Sequence, residues 1–411
     1  MLDALLRGTE RVVTEDALEG RLAMGRPLRV KLGLDPTAPA VTLGWAVVLR
    51  KLRVFQELGH TAVLIVGDFT AQVGDPSGKS ETRRRLSADE VNEYAEHVLS
   101  GFLKILLPEP LEIRYNSEWL ANLDMEAILD LTSQVTVAQM LERGDFAKRY
   151  ETNQPISLME FVYPLLQGMD SVAVNADVEL GGADQLWNLM VGRVLQERAG
   201  QVPQIPMTMP LLIGTDGVHK MSQSLGNFVA IDDPPAEMFG KIMSIPDELL
   251  VSYFELCTDV SESDIIEIAA GLSDGSLHPG ETKRRLGSEI VRIYWGAEEA
   301  SAAEASFDQV FKRHEVPEDS RQIPLPGIEE VWLPGFLRDH DMATSSSDAR
   351  RLIAQGAVKL NGVKVVDETI AADQLANATI QVGKRRHARI SPRSISVDTA
   401  LFEVEITPDE D

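Results

Sequence analysis

Apolar residues near the start of the chain recur with two different periods. Residues 28–34 alternate as a strand does, and residues 61–66 form a short β-branched run typical of a buried parallel strand. Between these segments, from Gly44 onward, apolar residues recur at helical spacing, and Gly59 is a candidate C-cap. The helical positions are Val47, Val48, Leu52, Phe55 and Leu58. The pattern predicts a strand, a loop, a helix and a second strand.

The same kind of alternation continues to about residue 232. Further strands are predicted at residues 112–115 and 177–180, and helices at residues 137–143 and 186–196. Strands that alternate with helices predict an α/β fold with a doubly wound parallel sheet. Sheets of this kind bind ligands at the carboxyl ends of their strands.

The composition of the chain changes at Asp232-Asp233-Pro234-Pro235. Beyond this point long amphipathic stretches predict a helical domain, then a segment rich in proline and acidic residues predicts a linker. The last part has short strands and turns, and Asn361-Gly362 predicts a tight hairpin in a small α+β domain. The predicted boundaries are 1–232 for the α/β domain, 233–318 for the helical domain, 319–335 for the linker and 336–411 for the last domain.

Length and composition narrow the class of protein. A chain of 411 residues is too long for one compact core, and 44% hydrophobic and 25% charged residues are ordinary for a globular protein. We expect neither a signal peptide at Met1–Arg11 nor an apolar run of about 20 residues that could cross a membrane. The one cysteine, Cys257, excludes an intrachain disulfide and a cysteine-rich zinc site, so no metal site is expected and a reducing cytoplasm fits.

The net charge of −25 argues against a polyanionic partner unless basic residues gather locally. The tail shows such a cluster. Its members are Lys384, Arg385, Arg386, Arg389 and Arg393. They could simply guard a solvated strand edge. We favour binding of RNA because the rest of the chain is so acidic.

Two distant segments carry the most specific signal. Residues 33–45 read GLDPTAPAVTLGW and residues 219–227 read HKMSQSLGN, with GDPSGK at residues 74–79 and Tyr163, Gln167 and Asp170 between them. Together these motifs resemble the bacterial tyrosyl-tRNA synthetases, a family of class I aminoacyl-tRNA synthetases, along almost the whole chain. The resemblance implies a Rossmann-like catalytic domain over residues 1–232, a helical anticodon-binding domain, and an S4-like RNA-binding domain at the end.

The first set of implied residues concerns ATP. Adenylate formation needs no enzyme nucleophile, since the amino-acid carboxylate attacks the α-phosphorus; the protein must align two anions and neutralise the leaving group. The resemblance implies catalytic roles for Thr37, Thr42, Lys220 and Ser222, and we predict that Lys79 and Arg83, beside Arg84 and Arg85, clamp pyrophosphate. It assigns ATP binding to Gly33, Asp35, Gly44, Asp184, Lys220, Met221 and Ser222.

The chain departs from the family pattern at three polar positions. Thr42 and Trp45 stand where the family has imidazoles, and Gln223 stands where it has a second lysine. Losing one preorganised donor commonly lowers a rate by about 10²–10³. These three departures are therefore also compatible with a protein that has lost catalytic activity.

The second set of implied residues concerns the amino acid. Tyr163, Gln167 and Asp170 are spaced i, i+4, i+7 in an apolar segment, which predicts one polar helix face in a buried cleft. The resemblance implies that Tyr163 and Gln167, with Asp75, hold the amino group of tyrosine, and that Asp170 accepts its phenolic hydroxyl. Gln185 would hold the carboxylate. Lys31 stands near the hydroxyl position, where it would contact tyrosine, pair with Asp170 or merely flank the strand. Glu179 could reach the region of Asp184 and Gln185, where the ribose and the carboxylate would lie.

The tail from Phe336 to Arg389 resembles the S4-type fold, with a predicted helix at residues 348–353 that presents Arg350 and Arg351. We predict that these arginines bind RNA with Lys384, Arg385 and Arg386, through salt-dependent phosphate contacts.

Our leading hypothesis is a cytoplasmic tyrosine–tRNA ligase. It would take tyrosine, tRNA(Tyr) and ATP with Mg²⁺ as substrates, hold no tightly bound cofactor, act as a homodimer and bind no membrane. The second hypothesis is a non-catalytic RNA-binding paralogue. A tryptophan-specific relative ranks last, because a buried Asp170 fits a phenol.

Overall fold

The computed structural model describes residues 1–77, 86–312, 322–325, 330–383 and 386–391. Over the whole chain the residues cluster into two compact units, residues 1–304 and residues 305–411. Within the described ranges, none of the helices combines the length and the apolar character that crossing a membrane requires.

The first unit is built on a six-stranded sheet in the order β1-β6-β5-β2-β3-β4. Five of the strands are parallel, and β1 pairs with β6 in the antiparallel direction at one edge. The strands are β1 (Arg11–Val12), β2 (Arg29–Leu34), β3 (Thr61–Val66), β4 (Leu111–Tyr115), β5 (Val178–Gly182) and β6 (Ile205–Met209). The α/β fold with a parallel sheet is confirmed, with the antiparallel edge strand as an addition.

The order of the strands creates a switch point at β2. The chain proceeds from β2 outward to β3 and β4, then returns to place β5 on the other side of β2. Leu32 is aligned with Leu64 on one side and with Leu180 on the other, so the carboxyl ends of the three strands lie together. In open parallel sheets this is the place where a crevice forms and ligands bind.

Helices surround this sheet and continue after it. They are α1 (Leu2–Leu6), α2 (Glu15–Ala23), α3 (Leu43–Glu57), α4 (Thr70–Val73), α5 (Ala88–Phe102), α6 (Ser117–Leu120), α7 (Met125–Ser133), α8 (Val137–Met140), α9 (Gly144–Glu151), α10 (Leu158–Val174), α11 (Leu186–Arg198), α12 (Pro235–Met243), α13 (Leu250–Cys257), α14 (Glu262–Asp274), α15 (Pro279–Trp295) and α16 (Ala297–Lys312).

Burial explains why β2, β3 and α3 follow the sequence pattern so closely. Every residue of β3 after Thr61 is fully buried, as a central parallel strand covered on both faces requires. Helix α3 buries Leu49, Leu52 and Phe55 completely, and Thr42 caps its first turn. Gly59 follows the helix at a positive φ of 86°, the left-handed conformation that glycine adopts most easily.

The second unit contains a five-stranded sheet and a two-stranded sheet. Its strands are β7 (Gln322–Pro324), β8 (Glu330–Trp332), β9 (Val358–Leu360), β10 (Val363–Lys364), β11 (Thr369–Ala371), β12 (Thr379–Val382) and β13 (Arg386–Ser391), and its helices are α17 (Leu333–Asp339), α18 (Ser346–Ala354) and α19 (Ala372–Leu375). The predicted hairpin is confirmed, because Leu360 pairs with Val363 across Asn361 and Gly362, which both have positive φ.

Two predicted segments differ from the structure. The helix predicted at residues 137–143 ends at Met140. Parts of the expected linker 319–335 form strands: β7 pairs with β13 and β8 pairs with β11, and Ile323 and Val331 are buried in the core of the second unit. The proline and acidic residues of this segment predicted a linker. The two strands gave no periodic signal, because each strand contributes only one apolar side chain to that core.

Candidate active site

One cavity of about 430 Å³ lies at the carboxyl ends of β2, β3 and β5. It collects most of the site residues that the sequence predicted. From the predicted nucleotide site these are Gly33, Asp35, Thr37, Thr42, Gly44, Asp184, Lys220, Met221 and Ser222. From the predicted tyrosine site these are Asp75, Tyr163, Gln167, Asp170 and Gln185.

The N-terminus of α3 forms one wall of this cavity. The Oγ1 atom of Thr42 accepts a hydrogen bond from the Trp45 N–H at 3.4 Å, so the buried hydroxyl caps the helix. A helix N-terminus favours an anion such as a phosphate. Thr42 therefore performs a structural task here in addition to any contact with a nucleotide.

Trp45 occupies the second altered position of this segment. Its ring lines the cavity and packs at an angle against Phe102, with 6.1 Å between the ring centroids. An indole has one N–H donor and no acceptor, so it cannot reproduce both hydrogen-bonding modes of an imidazole. It supplies an apolar wall instead.

Lys220 reaches into the cavity from a loop held by its own polar contacts. Its Nζ atom lies 2.6 Å from Oδ2 of Asp184. The Asn227 side chain organises the loop, since its Nδ2 donates to the Lys220 carbonyl at 3.2 Å and its Oδ1 accepts from the Ser222 N–H at 2.8 Å. Asn227 is buried, and these bonds fix the backbone that carries Lys220 and Ser222.

Tyr163 and Asp35 both line the cavity and contact each other there. The Tyr163 hydroxyl donates to Oδ2 of Asp35 at 2.8 Å, and the Thr70 hydroxyl donates to Oδ1 of the same carboxylate at 2.7 Å. Burial and the charges of Asp35 and Asp75 raise the pKa of Tyr163 well above its usual value. Its phenol therefore stays protonated and acts as a hydrogen-bond donor.

Asp170 is buried at the inner end of the cavity. Its Oδ1 accepts from the Trp119 indole N–H at 2.9 Å, and its Oδ2 accepts from the Asn116 amide at 3.4 Å. Burial raises the pKa of Asp170 to about 7, against the attraction of Lys31 and these two hydrogen bonds. A carboxylate has about four acceptor positions, so this one can still accept a hydroxyl proton.

Side-chain amides connect the predicted tyrosine residues with one another. The Asn188 Nδ2 donates to the side-chain oxygens of Gln167 and Gln185 at 3.1 Å each, and Gln185 donates to Asp75 at 2.9 Å. The network fixes which end of each amide faces the cavity. Asn188 is buried and was not predicted from the sequence.

Lys31 lies behind this wall and does not line the cavity. Its ammonium group is fully buried and donates to Oε1 of Glu179 at 2.9 Å, to the Ser171 hydroxyl at 2.8 Å and to the Gln167 carbonyl at 2.9 Å. Three bonds use all three donors of an ammonium. Lys31 therefore has no donor left for tyrosine or for Asp170. The predictions of those two contacts are wrong, and the partner of Lys31 is Glu179.

Two residues that support Asp170 were missed in the sequence. Asn116 follows β4 directly, and Trp119 lies on α6, which comes next in the chain. The rule that ligands bind beyond the carboxyl ends of parallel strands could have identified Asn116. Trp119 had no such signal, because an isolated tryptophan in an amphipathic segment is ordinarily a core residue.

The predicted basic residues are only partly within the described structure. Lys79, Arg83, Arg84 and Arg85, as well as Lys384 and Arg385, lie outside the described residues. Arg350 and Arg351 are exposed on α18, where Arg350 pairs with Glu368 and stacks over Trp332, and Arg351 pairs with Asp348. Arg386 donates to the Met342 carbonyl at 2.7 Å.

Comparison with known proteins agrees with this geometry. The sequence model of the family described as "tRNA synthetases class I (W and Y)" matches residues 23–312. The chain is 49% identical to the tyrosine–tRNA ligase of Moorella thermoacetica over 95% of both chains, and 48% identical to that of Geobacter sulfurreducens over 94% of this chain and 97% of the relative. The chain belongs to the family of class I tRNA synthetases for tryptophan and tyrosine.

Solved structures show the same fold. A truncated mitochondrial tyrosyl-tRNA synthetase of Aspergillus nidulans aligns with a TM-score of 0.61 at 20% identity, over 75% of this chain and 94% of that one. The tyrosyl-tRNA synthetase of Archaeoglobus fulgidus, solved with L-tyrosine, aligns with a TM-score of 0.60 at 23% identity, over 74% of this chain and 98% of that one.

Proposed function

We infer that this chain is a tyrosine–tRNA ligase: it activates tyrosine with ATP to tyrosyl-adenylate and pyrophosphate, then transfers the tyrosyl group to the terminal ribose of tRNA(Tyr). The observation that carries the proposal is that one cavity holds both a buried acceptor, Asp170, and a loop lysine, Lys220. The first fits a phenol, and the second fits a leaving pyrophosphate. The curated relatives named above are tyrosine–tRNA ligases, and they lend no support to a non-catalytic paralogue.

The amino acid would lie with its ring towards Asp170 and its polar end towards Tyr163, Gln167 and Asp75. Tyr163 has an oriented hydroxyl, and the Gln167 side chain is fixed because its Nε2 donates to Glu179 at 3.1 Å. Asp75 supplies a negative charge near the ammonium group. Gln185, held between Asp75 and Asn188, lies where it can direct the carboxylate towards the nucleotide.

ATP would enter as its Mg²⁺ complex, which is a substrate here. The N-terminus of α3 attracts a phosphate, and Thr37 and Thr42 offer hydroxyl groups along the same wall. In the free protein Lys220 pairs with Asp184. When the ribose hydroxyls take over Asp184, Lys220 becomes available to neutralise charge on the phosphates, which is where an electrostatic contribution to the rate is largest.

Selection of tyrosine follows from the chemistry of Asp170. Phenylalanine would leave the remaining acceptor position of this buried carboxylate without a donor, and a buried acceptor position that is not satisfied is unfavourable. Enzymes of this class reach discrimination of about 10⁴–10⁵ in this way, a known magnitude of the class and not one worked from this structure. Tryptophan could donate its indole N–H to the same carboxylate, so we propose that the larger size of its ring excludes it.

The remaining roles concern RNA and assembly. We propose that Arg350, Arg351 and Arg386, with Lys384 and Arg385, contact phosphates of tRNA(Tyr), since they are basic groups on an otherwise acidic chain. We also propose a homodimer that works in the cytoplasm, where tRNA and ATP are available.

Charging of tRNA tests the proposal directly. Purified protein with tyrosine, ATP, Mg²⁺ and tRNA(Tyr) is expected to form tyrosyl-tRNA, measured as acid-precipitable labelled tyrosine. Lys220→Met is expected to lower the rate about 10²–10³-fold while tyrosine still binds. Wild-type protein that binds tyrosine but forms neither adenylate nor tyrosyl-tRNA would overturn the proposal.

A further inference from the structure

Gln223 makes an unusual pair of contacts for a loop side chain. Its Nε2 donates to the Ala40 carbonyl at 2.6 Å, and its Oε1 accepts from the Ala40 N–H at 3.2 Å. One amide therefore satisfies both backbone groups of one residue. Gln223 stands where the family pattern has a second lysine, so these contacts are specific to the residue present in this chain.

The two segments that Gln223 joins both belong to the nucleotide site. Ala40 lies in the loop between β2 and α3, which carries Thr37 and ends at Thr42, while Gln223 follows Lys220 and Ser222. Backbone bonds join the same segments farther along the chain, from Leu43 to Val229 and from Ile231 to Val41, at 2.9 Å each. Those bonds fix the base of the lysine loop. Nearer its tip, the Met221 N–H donates to the Leu212 carbonyl at 2.8 Å, which holds the loop on its own side of the cavity.

Besides Asn227, which holds the loop from within, two side chains of the loop reach across to other segments of the site, and nucleotide binding is expected to affect them differently. The Lys220–Asp184 pair uses groups that ATP is expected to take over. The Gln223–Ala40 contact uses the backbone groups of a residue that does not line the main cavity, and Gln223 itself lines both the main cavity and a small cavity of about 20 Å³ that Trp45 also lines. The second contact can therefore persist when the nucleotide binds.

We propose that Gln223 is a positioning residue that holds the Lys220–Ser222 loop closed on the nucleotide-binding loop. A lysine at this position could donate to the Ala40 carbonyl but could not accept from the Ala40 N–H. The chain thus has a neutral two-point latch where the family has a charge. This proposal rests on the proposed function, because it assigns the latch to the ATP step of that reaction.

Substitution of Gln223 tests the latch in two independent ways. Gln223→Met keeps the size of the side chain and removes both hydrogen bonds, while Gln223→Lys keeps the donor alone. Leu225→Ala is the matched control, since Leu225 is 56% exposed on the same short turn. The measurements are hydrogen exchange of the peptide that contains Ala40 in ligand-free protein, ATP kinetics in ATP–pyrophosphate exchange, and tyrosine affinity by calorimetry.

A neutral hydrogen bond corresponds to about a fivefold change in an equilibrium, so two correspond to about 30-fold. We expect Gln223→Met to speed hydrogen exchange at Ala40 by up to about 30-fold and to lower kcat/KM for ATP by about 5- to 30-fold. Gln223→Lys should fall between Gln223→Met and the wild type in hydrogen exchange. The Kd for tyrosine should stay within about twofold of the wild-type value in both Gln223 variants. In the Leu225→Ala control, hydrogen exchange, ATP kinetics and tyrosine affinity should all stay within about twofold of the wild type.

Unchanged hydrogen exchange and unchanged ATP kinetics in Gln223→Met would overturn the latch. So would a parallel loss of tyrosine affinity and thermal stability, since that pattern marks a general structural role. If the wild type shows no tyrosine-dependent exchange of pyrophosphate, the proposed function fails. Hydrogen exchange at Ala40 in the ligand-free protein still decides the latch in that case.

Discussion

Replacement of Asp170 by asparagine distinguishes two contributions to tyrosine recognition, the shape of the pocket and the carboxylate that accepts the phenolic proton. The two side chains have nearly the same size, so the pocket keeps its volume. The carboxylate of Asp170 accepts from Trp119 and Asn116 and retains capacity for a hydroxyl. Asparagine has one oxygen and an NH₂ group, so at least one of the surrounding donors then faces another donor.

The expected decrease in kcat/KM for tyrosine follows from the hydrogen bonds that the variant loses. A hydrogen bond to a charged group contributes about 1.5–3 kcal/mol, and a buried donor left without a partner loses about 1–3 kcal/mol more. Since 1.36 kcal/mol is a factor of ten, kcat/KM for tyrosine should fall by about 10²–10⁴. Phenylalanine gains nothing from the carboxylate, so its kcat/KM should change by less than about tenfold.

The assay is ATP–pyrophosphate exchange at saturating ATP, with tyrosine and phenylalanine measured in parallel. Asp3→Asn, an exposed aspartate of α1, serves as the matched control. The ratio of the two kcat/KM values should collapse in Asp170→Asn and stay constant in the control. A variant that keeps the wild-type ratio would refute the assignment of Asp170 as the acceptor of the phenolic hydroxyl.

Four further predictions concern the first unit. Because burial raises the pKa of Asp170 to about 7, kcat/KM for tyrosine should decline as pH falls through 7, and Asp170→Asn should remove this step; an unchanged step would assign it to another group. Because the pKa of Asp170 is raised in the folded protein, protonation of Asp170 contributes to the free energy of unfolding. This contribution of up to about 4 kcal/mol is fully present below about pH 4 and is lost as pH rises through 7, which urea unfolding at several pH values would measure. Lys31→Met should destabilise the protein by about 3–5 kcal/mol because Glu179 stays buried, and adding Glu179→Gln should recover much of the loss; a neutral Lys31→Met would contradict this. Thr42→Ala should lower the free energy of unfolding by about 1 kcal/mol through loss of the α3 cap, whereas an unchanged midpoint would mean that the cap contributes nothing.

The sequence predicted the parts of the fold that periodicity controls. Strand β3 has the bounds expected from its β-branched run, and α10 presents Tyr163, Gln167 and Asp170 to one cavity, as their spacing indicated. Strand β6 was missed. Pro206 lies within it, and proline ordinarily argues against a strand inside a sheet.

The contacts that complete the site depend on residues far apart in the chain. Lys31 finds Glu179 across adjacent strands, and Gln223 reaches Ala40 from 183 positions away. No local pattern encodes such pairs, because partners are chosen by the folded arrangement of strands and loops. The family resemblance showed only that Gln223 replaces a lysine, which was interpreted as the loss of a charge. The structure shows that its amide contacts the backbone of Ala40.

The most direct test of the whole interpretation is tyrosine-dependent ATP–pyrophosphate exchange by the wild-type protein, with phenylalanine and tryptophan measured beside it. We predict exchange with tyrosine and at most background exchange with the other two amino acids. That result would show that Thr42, Trp45 and Gln223 support adenylation in place of the family's usual residues. Binding of tyrosine without any exchange would contradict the assignment of a catalytic site, and equal exchange with phenylalanine would contradict the role of Asp170.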